Sequence, residues 1–142
     1  MEVKQIREVQ VNYGPKSQYV GIKGPEDVVK FIRGILPNNS QEHCIVLYLD
    51  GSHDVQAYAV VSSGAINSSV LDARLVFQRA MLLGACAVVL AHNHPSGSTL
   101  PSDEDKAITK RLAECGKLLA CKVLDHIIIT DNDYRSLQEY CI

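Results

Sequence analysis

The chain has no excess of basic charge, no apolar run of membrane length and no Cys-x-x-Cys pair, and each absence removes a class of function. Its 14 Lys and Arg face 16 Asp and Glu, for a formal net charge of −2 over 142 residues. Nucleic-acid binders usually carry a basic face, whereas the cations here are dispersed and balanced by acids. The densest basic group, Lys106, Lys110, Arg111 and Lys117, falls on the outward side of a predicted helix, where it reads as a solvated face rather than a phosphate track. No apolar run approaches the ~20 residues that span a bilayer. The opening Met1 to Gln5 carries no signal-peptide core, so the expectation is a cytoplasmic protein without membrane contact. The five cysteines, Cys44, Cys86, Cys115, Cys121 and Cys141, are odd in number and several fall in predicted core elements. That pattern predicts buried, reduced thiols instead of a disulfide framework. Repeats, low-complexity tracts and interdomain linkers are also missing.

The length and a hydrophobic content of 46% fit one domain with a real core. Alternation at Val9, Val11 and Tyr13 predicts a short first strand, and residues 14–24 read as a loop. Gly24-Pro25-Glu26-Asp27 starts a helix with proline at its first position and acids behind it. The stripe of that helix is Val28, Ile32, Ile35 and Leu36. Apolar runs from Cys44 to Leu49 and Val55 to Val61 flank a turn-rich connection and predict a hairpin. Ala73, Val76, Phe77, Ala80 and Met81 have helical spacing, stopped at Gly84. A late strand is expected from Cys121 to Thr130. The sum is a mixed sheet flanked by helices, an α/β (α+β) layer structure. Residues 1–25 are expected to form an N-terminal strand and loop extension, and residues 26–142 the domain.

The chemistry is concentrated in His92-Asn93-His94-Pro95-Ser96-Gly97, followed by Ser102 and Asp105. The unbroken apolar run 85–91 has strand length, and its paired valines and the Pro95/Gly97 stop favour a strand over a helix. Residues i and i+2 of a strand point to one side, so both imidazoles can converge on one ion while Asn93 points away. Ser102-Asp103-Glu104-Asp105 reads as a helix start with a hydroxyl cap, followed by a stripe of Ile108, Leu112, Cys115 and Leu119. Taken alone, Ser102 and Asp105 are a cap and a dipole-matched acid, and a lone His-x-His is a turn. Taken together at this spacing they read as a metal site. Two His and one Asp hold zinc and leave a fourth position for water, the makeup of a catalytic site. Glu42, just before the strand that begins near Cys44, is the candidate general base, beside the plainer reading of a solvated charge at a strand end. His43 and His53 read as structural or solvated, and for His126, beside Asp125 on the late strand, a place near the site is left open beside a plain structural role.

These residues match the JAMM (MPN-plus) metalloprotease motif: an upstream Glu, His-x-His, seven residues, Ser, two residues, Asp. With His92 to Gly97, the later Leu124 to Ile129 and the ending Tyr134-Arg135-Ser136-Leu137, the chain resembles the RadC branch, in its short single-domain form without the helix-hairpin-helix region. The resemblance runs from about Glu26 onward. It implies a JAMM/cytidine-deaminase-like architecture, with His92, His94 and Asp105 as zinc ligands. It also implies that Glu42 accepts a proton from water and that Ser102 donates a hydrogen bond near the oxyanion. Many relatives read Pro-Arg-Glu where this chain has Ala73-Arg74-Leu75, so no role carries over for that glutamate.

The expected activity is zinc-dependent amide hydrolysis on a peptide or protein substrate. The alternative is a DNA-repair or mobile-element accessory that binds nucleic acid or protein, and a third reading is a zinc-stabilised adaptor without turnover. A nucleobase deaminase is set aside, because its His-x-Glu and Pro-Cys-x-x-Cys signatures are missing.

Overall fold

In a computed structural model, which describes residues 6–12, 20–64 and 71–142, the chain forms a five-stranded mixed sheet with helices on both faces. The elements are α1 (Pro25–Ile35), β1 (His43–Leu49), β2 (Val55–Ser63), α2 (Ala73–Leu83), β3 (Ala87–Asn93), α3 (Asp103–Leu118), β4 (Lys122–Ile129) and β5 (Tyr134–Ser136), ending in a short 3₁₀ turn. Strand order is β2-β1-β3-β4-β5. The β3–β4 pair, joined through α3, is parallel and the other neighbours are antiparallel. A parallel pair needs a long crossover, which α3 supplies.

The two central strands explain the composition. Every residue of β1 and of β3 is buried, so their side chains alternate between two cores. Cys44, Val46, Tyr48, Val88 and Leu90 pack with Val76, Phe77, Ile108 and Leu112 of α2 and α3. Ile45, Leu47, Leu49, Val89 and Ala91 pack with Val28, Val29 and Ile32 of α1 on the other side. Pro25 stands at the start of α1, where its missing N–H costs nothing. Val20 and Gly21–Ile22 tie the chain to the β1–β2 turn through Val55 N–H to Val20 O (2.8 Å) and Ile22 N–H to His53 O (2.9 Å).

Several expectations are corrected. Residues 6–12 form no strand, and Val9 is 80% exposed; Tyr13 lies outside the described residues. Alternation over so few residues does not form a strand without a partner edge. β3 begins at Ala87 rather than Ala85, because α2 ends in a left-handed Gly84 (φ 63°) and Ala85 N–H closes back on Ala80 O at 2.9 Å. The strand accordingly runs through His92 and Asn93. Of the expected α3 stripe, Ile108 and Leu112 are buried and Cys115 is half-buried against the same core, whereas Leu119 is not part of it; Asp105, Thr109, Ala113 and Gly116 complete the buried face. Leu119 caps the helix and is 44% exposed; with Cys115, Phe77 and the exposed Met81 it lines an open groove between α2 and α3. All five thiols are free, but Cys86 is exposed and Cys115 half-buried.

Gly116 marks the closest approach of α3 to the start of β4. A Cβ there would collide with the Cys121 carbonyl, whose own amide donates to Gly116 O at 2.9 Å. Gly116→Ala is expected to destabilise the fold by about 1–3 kcal/mol through overpacking. Gly34→Ala, in α1 with open space around it, should be neutral or slightly stabilising. Paired thermal denaturation of the two variants checks this.

Candidate metal centre

β3 delivers His92 and His94, and α3 returns Asp105 to meet them. His92 stands on the same face of β3 as Val88 and Leu90, fully buried. Asn93 alternates to the other face, where its amide braces the entry to β1: its oxygen accepts from His43 N–H (2.7 Å), and its nitrogen donates to Asn39 Oδ1 (2.8 Å) and Gln41 O (3.0 Å). His94 follows the strand, with its amide donating to Ile129 O at 2.9 Å, and Gly97 (φ 86°) allows the turn beyond it. His94 Nδ1 lies 2.8 Å from Ser98 O. A carbonyl only accepts, so that ring nitrogen carries hydrogen and, in the neutral ring, Nε2 presents a lone pair.

Asp105 is fixed by the helix start. The Ser102 hydroxyl accepts from Asp105 N–H (3.0 Å), and Asp105 Oδ2 accepts from Ser102 N–H (2.9 Å), a reciprocal capping box. The same carboxylate reaches the imidazoles: Oδ1 is 3.4 Å from His92 Nε2 and Oδ2 is 3.4 Å from His94 Nε2. The two Nε2 atoms are 2.8 Å apart. One donor atom from each of the three residues lies within 4.8 Å of the others, a grouping able to hold a metal ion. Tetrahedral zinc bonded at ~2.0–2.1 Å places its donors roughly 3.3 Å apart, so the separations suit such an ion. The donor chemistry suits it too, with two borderline-soft nitrogens and one carboxylate.

The electrostatics agree. Burial works to raise the Asp105 pKa, but hydrogen bonds from His92 and His94 outweigh it and hold the carboxyl well below its usual range. His94 is raised, first by its hydrogen bond to Asp105 and then, against the effect of burial, by Ser98 and the charges of Asp105 and Glu42. The site therefore attracts positive charge, whether proton or metal.

Glu42 is half-buried immediately ahead of β1. β1 pairs with β3 up to Cys44↔His92; continued two residues past that last pair, the same alternation would bring Glu42 level with His94, and the Glu42 charge is among those that raise the His94 pKa. Its backbone carbonyl accepts from Gly64 N–H at 2.7 Å. Ser102 is exposed at the rim, and its hydroxyl oxygen is engaged as a cap. His43 is a buried structural residue, with Nδ1 2.9 Å from Ser63 Oγ, and His53 occupies a left-handed turn position (φ 61°).

His126 is buried in contact with the site: its Nε2 is 2.7 Å from His92 Nδ1 and its Nδ1 is 2.6 Å from Thr109 Oγ1. Thr109 was not legible as a site residue from the sequence. The available signal was a hydroxyl four residues after Asp105, interrupting an apolar helix face.

The profile of the RadC-like JAB domain matches residues 22–141. A UPF0758 protein of Bacillus cereus (strain B4264) is 42% identical over 118 residues, covering 83% of this chain and 52% of that protein. A UPF0758 protein of Geobacillus thermodenitrificans (strain NG80-2) is 41% identical over 126 residues, covering 89% of this chain and 55% of its own length. The chain thus spans about half the length of these relatives. Their domain is part of the JAMM/MPN superfamily, to which the mixed sheet and the His-His-Asp group also correspond. On the extent of that match and these identities, the chain belongs to the RadC-like JAB domain family.

Proposed function

We propose that this domain is a zinc-dependent amide hydrolase acting on a peptide or isopeptide bond. The observation that carries the reading is the convergence of His92 Nε2, His94 Nε2 and the Asp105 carboxylate from two elements onto one point. Zinc held there supplies a Lewis acid and lowers the pKa of a water toward ~7. Glu42, whose charge acts on His94, would serve as the proton acceptor for the attacking water and as the proton donor to the leaving nitrogen. Ser102 uses its hydroxyl oxygen to accept from Asp105 N–H, which leaves its own hydrogen to donate toward the developing oxyanion. Asp105 is held by the capping box at the start of α3, with its carboxylate already beside both imidazoles. A peptide or protein substrate follows from this chemistry. A nucleic-acid partner gains nothing from a net charge of −2, and Lys106 and Lys110 of the basic helix face instead stand 5.9 and 5.6 Å from the Tyr140 ring centroid.

The test is turnover of quenched peptide and isopeptide-linked substrates by the zinc-loaded protein, before and after chelation. Cleavage that is lost with chelator and restored by zinc supports the reading. Zinc-loaded protein that cleaves no member of a broad substrate panel counts against it.

A further inference from the structure

The segment that joins His94 to the cap of α3 has little packing to hold it. Pro95, Ser96, Gly97, Ser98 and Leu100 are exposed, and Thr99 is half-buried. The hydrogen bonds that shape it are local: Gly97 N–H to His94 O (3.1 Å), Ser98 N–H to Ser96 Oγ (3.4 Å) and Leu100 N–H to Ser98 Oγ (3.3 Å). Among the described residues, one hydrogen bond reaches residues 95–101 from a distant element: Arg135 Nε–H donates to Thr99 O at 2.9 Å.

The sheet aims this arginine. Ile127 and Ile129 pack in the α1 core, so Ile128 between them faces the other side. Ile128 pairs with His92 of β3 in one direction and with Arg135 of β5 in the other, which sets all three on one face. Arg135 therefore stands two strands, about 10 Å, from His92. Its neighbours turn the opposite way and anchor β5. Ser136 Oγ donates to the buried Asp125 carboxylate (2.7 Å), and Tyr134 OH donates to Glu26 Oε1 (2.8 Å). The carbonyl that Arg135 holds adjoins Ser98 O, which takes His94 Nδ1–H at 2.8 Å. Guanidinium and imidazole thus grip successive carbonyls of the loop.

We propose that Arg135 is a positioning residue for His94: by holding Thr99 O it fixes the adjoining Ser98 carbonyl, and with it the rotation of the His94 ring. The metal part of this proposal rests on the zinc reading above; the clamp on the loop does not. A histidine ligand is oriented by the acceptor of its other ring nitrogen. Here that acceptor lies on an exposed loop rather than on the sheet, so a bond from β5 is what ties it to the rigid part of the fold.

Gln carries its side-chain nitrogen as many bonds from Cα as Arg carries Nε, so Arg135→Gln keeps the donor and drops the charge. Arg135→Met keeps the length and drops both. Arg135 is exposed, and neither change opens a core. Amide exchange at Gly97 and Leu100, followed by NMR in the metal-free full chain, should quicken ~3–10-fold in Arg135→Met, the worth of about one hydrogen bond. It should keep the wild-type rate in Arg135→Gln. Zinc affinity, measured by competition with a chromophoric chelator, should fall by the same ~3–10-fold in Arg135→Met and hold in Arg135→Gln. Wild-type exchange in Arg135→Met overturns the proposal. So does equal loosening in both variants, which would assign the effect to charge. A loosened loop with unchanged zinc affinity overturns the positioning of His94. Protein that takes up no zinc, yet loosens only in Arg135→Met, supports the clamp while removing the zinc reading.

Discussion

His94→Ala should bind no zinc where the wild type binds about one per chain, read by elemental analysis after dialysis. His94 is the cleanest ligand to remove. Its side chain is 12% exposed and it lies beyond the end of β3, so its loss leaves both cores and the cap of α3 in place. Asp105→Ala would also lose the metal, but it takes away the capping box and leaves His92 buried without its carboxylate. The thermodynamic companion is a thermal shift. Zinc at 100 times its Kd stabilises the folded wild type by ~2.7 kcal/mol, and the shift should vanish in His94→Ala.

The pH dependence of zinc binding has a defined sign. His94 holds its proton above the ordinary value, so zinc must displace that proton, and apparent affinity should fall on acidification from above pH ~6.5. The metal-free protein shows the complementary behaviour. The raised His94 pKa contributes stability that is present below its unfolded value of ~6.5 and lost as pH rises through the folded one. The lowered Asp105 pKa contributes stability present above ~3.9 and lost as pH falls toward the folded value. The ion pair of the metal-free site is therefore most stabilising between these limits, and zinc takes over as the protons leave. A wild type free of metal and unable to take up added zinc across this range would remove the site as a metal centre.

Glu42→Gln should separate binding from catalysis. The variant is expected to keep its zinc and lose turnover by ~10²–10⁴-fold, the usual contribution of a positioned general base. The substitution preserves size, and the backbone link from Gly64 N–H to the residue 42 carbonyl is indifferent to the side chain. Its consequence for structure should be small because the residue is half-buried ahead of β1 rather than within it. Extending the β1–β3 register two residues beyond Cys44↔His92 brings residue 42 level with His94, and the negative charge of Glu42 contributes to the proton affinity of that ring. A smaller zinc affinity change than that of any ligand variant, with turnover lost, would identify Glu42 as proton acceptor. A zinc-loaded Glu42→Gln that cleaves substrate at the wild-type rate would remove it from the mechanism. A carboxylate that served only as a solvated charge would leave both readouts unmoved.

The grouping of His92, His94 and Asp105 was legible in the sequence because each part is local. His92 and His94 need only a strand to share a face, and Ser102 and Asp105 need only a helix start. The burial of β1 and β3 on two faces was written in uninterrupted apolar runs. The weaker elements were not legible for the same reason. Val9 and Val11 alternate well enough for a strand, but pairing requires a partner edge, and residues 6–12 form no strand. The expected α3 stripe holds at Ile108 and Leu112 and fails at Leu119, which caps the helix in the open. Gly116, which lets α3 approach Cys121 closely, lies on the face that turns inward.

The sequence by itself determined which His and Asp side chains gather, their order and the mixed sheet that carries them, since strand and helix periodicity act over a few residues. The tertiary structure decided what lies behind them. Thr109 and His126 are 17 residues apart in sequence, and His126 is 34 from His92. Only the docking of α3 across the parallel β3–β4 pair brings these groups within hydrogen-bond reach. Which polar atoms meet in a space that excludes water depends on that packing. No local spacing encodes that meeting.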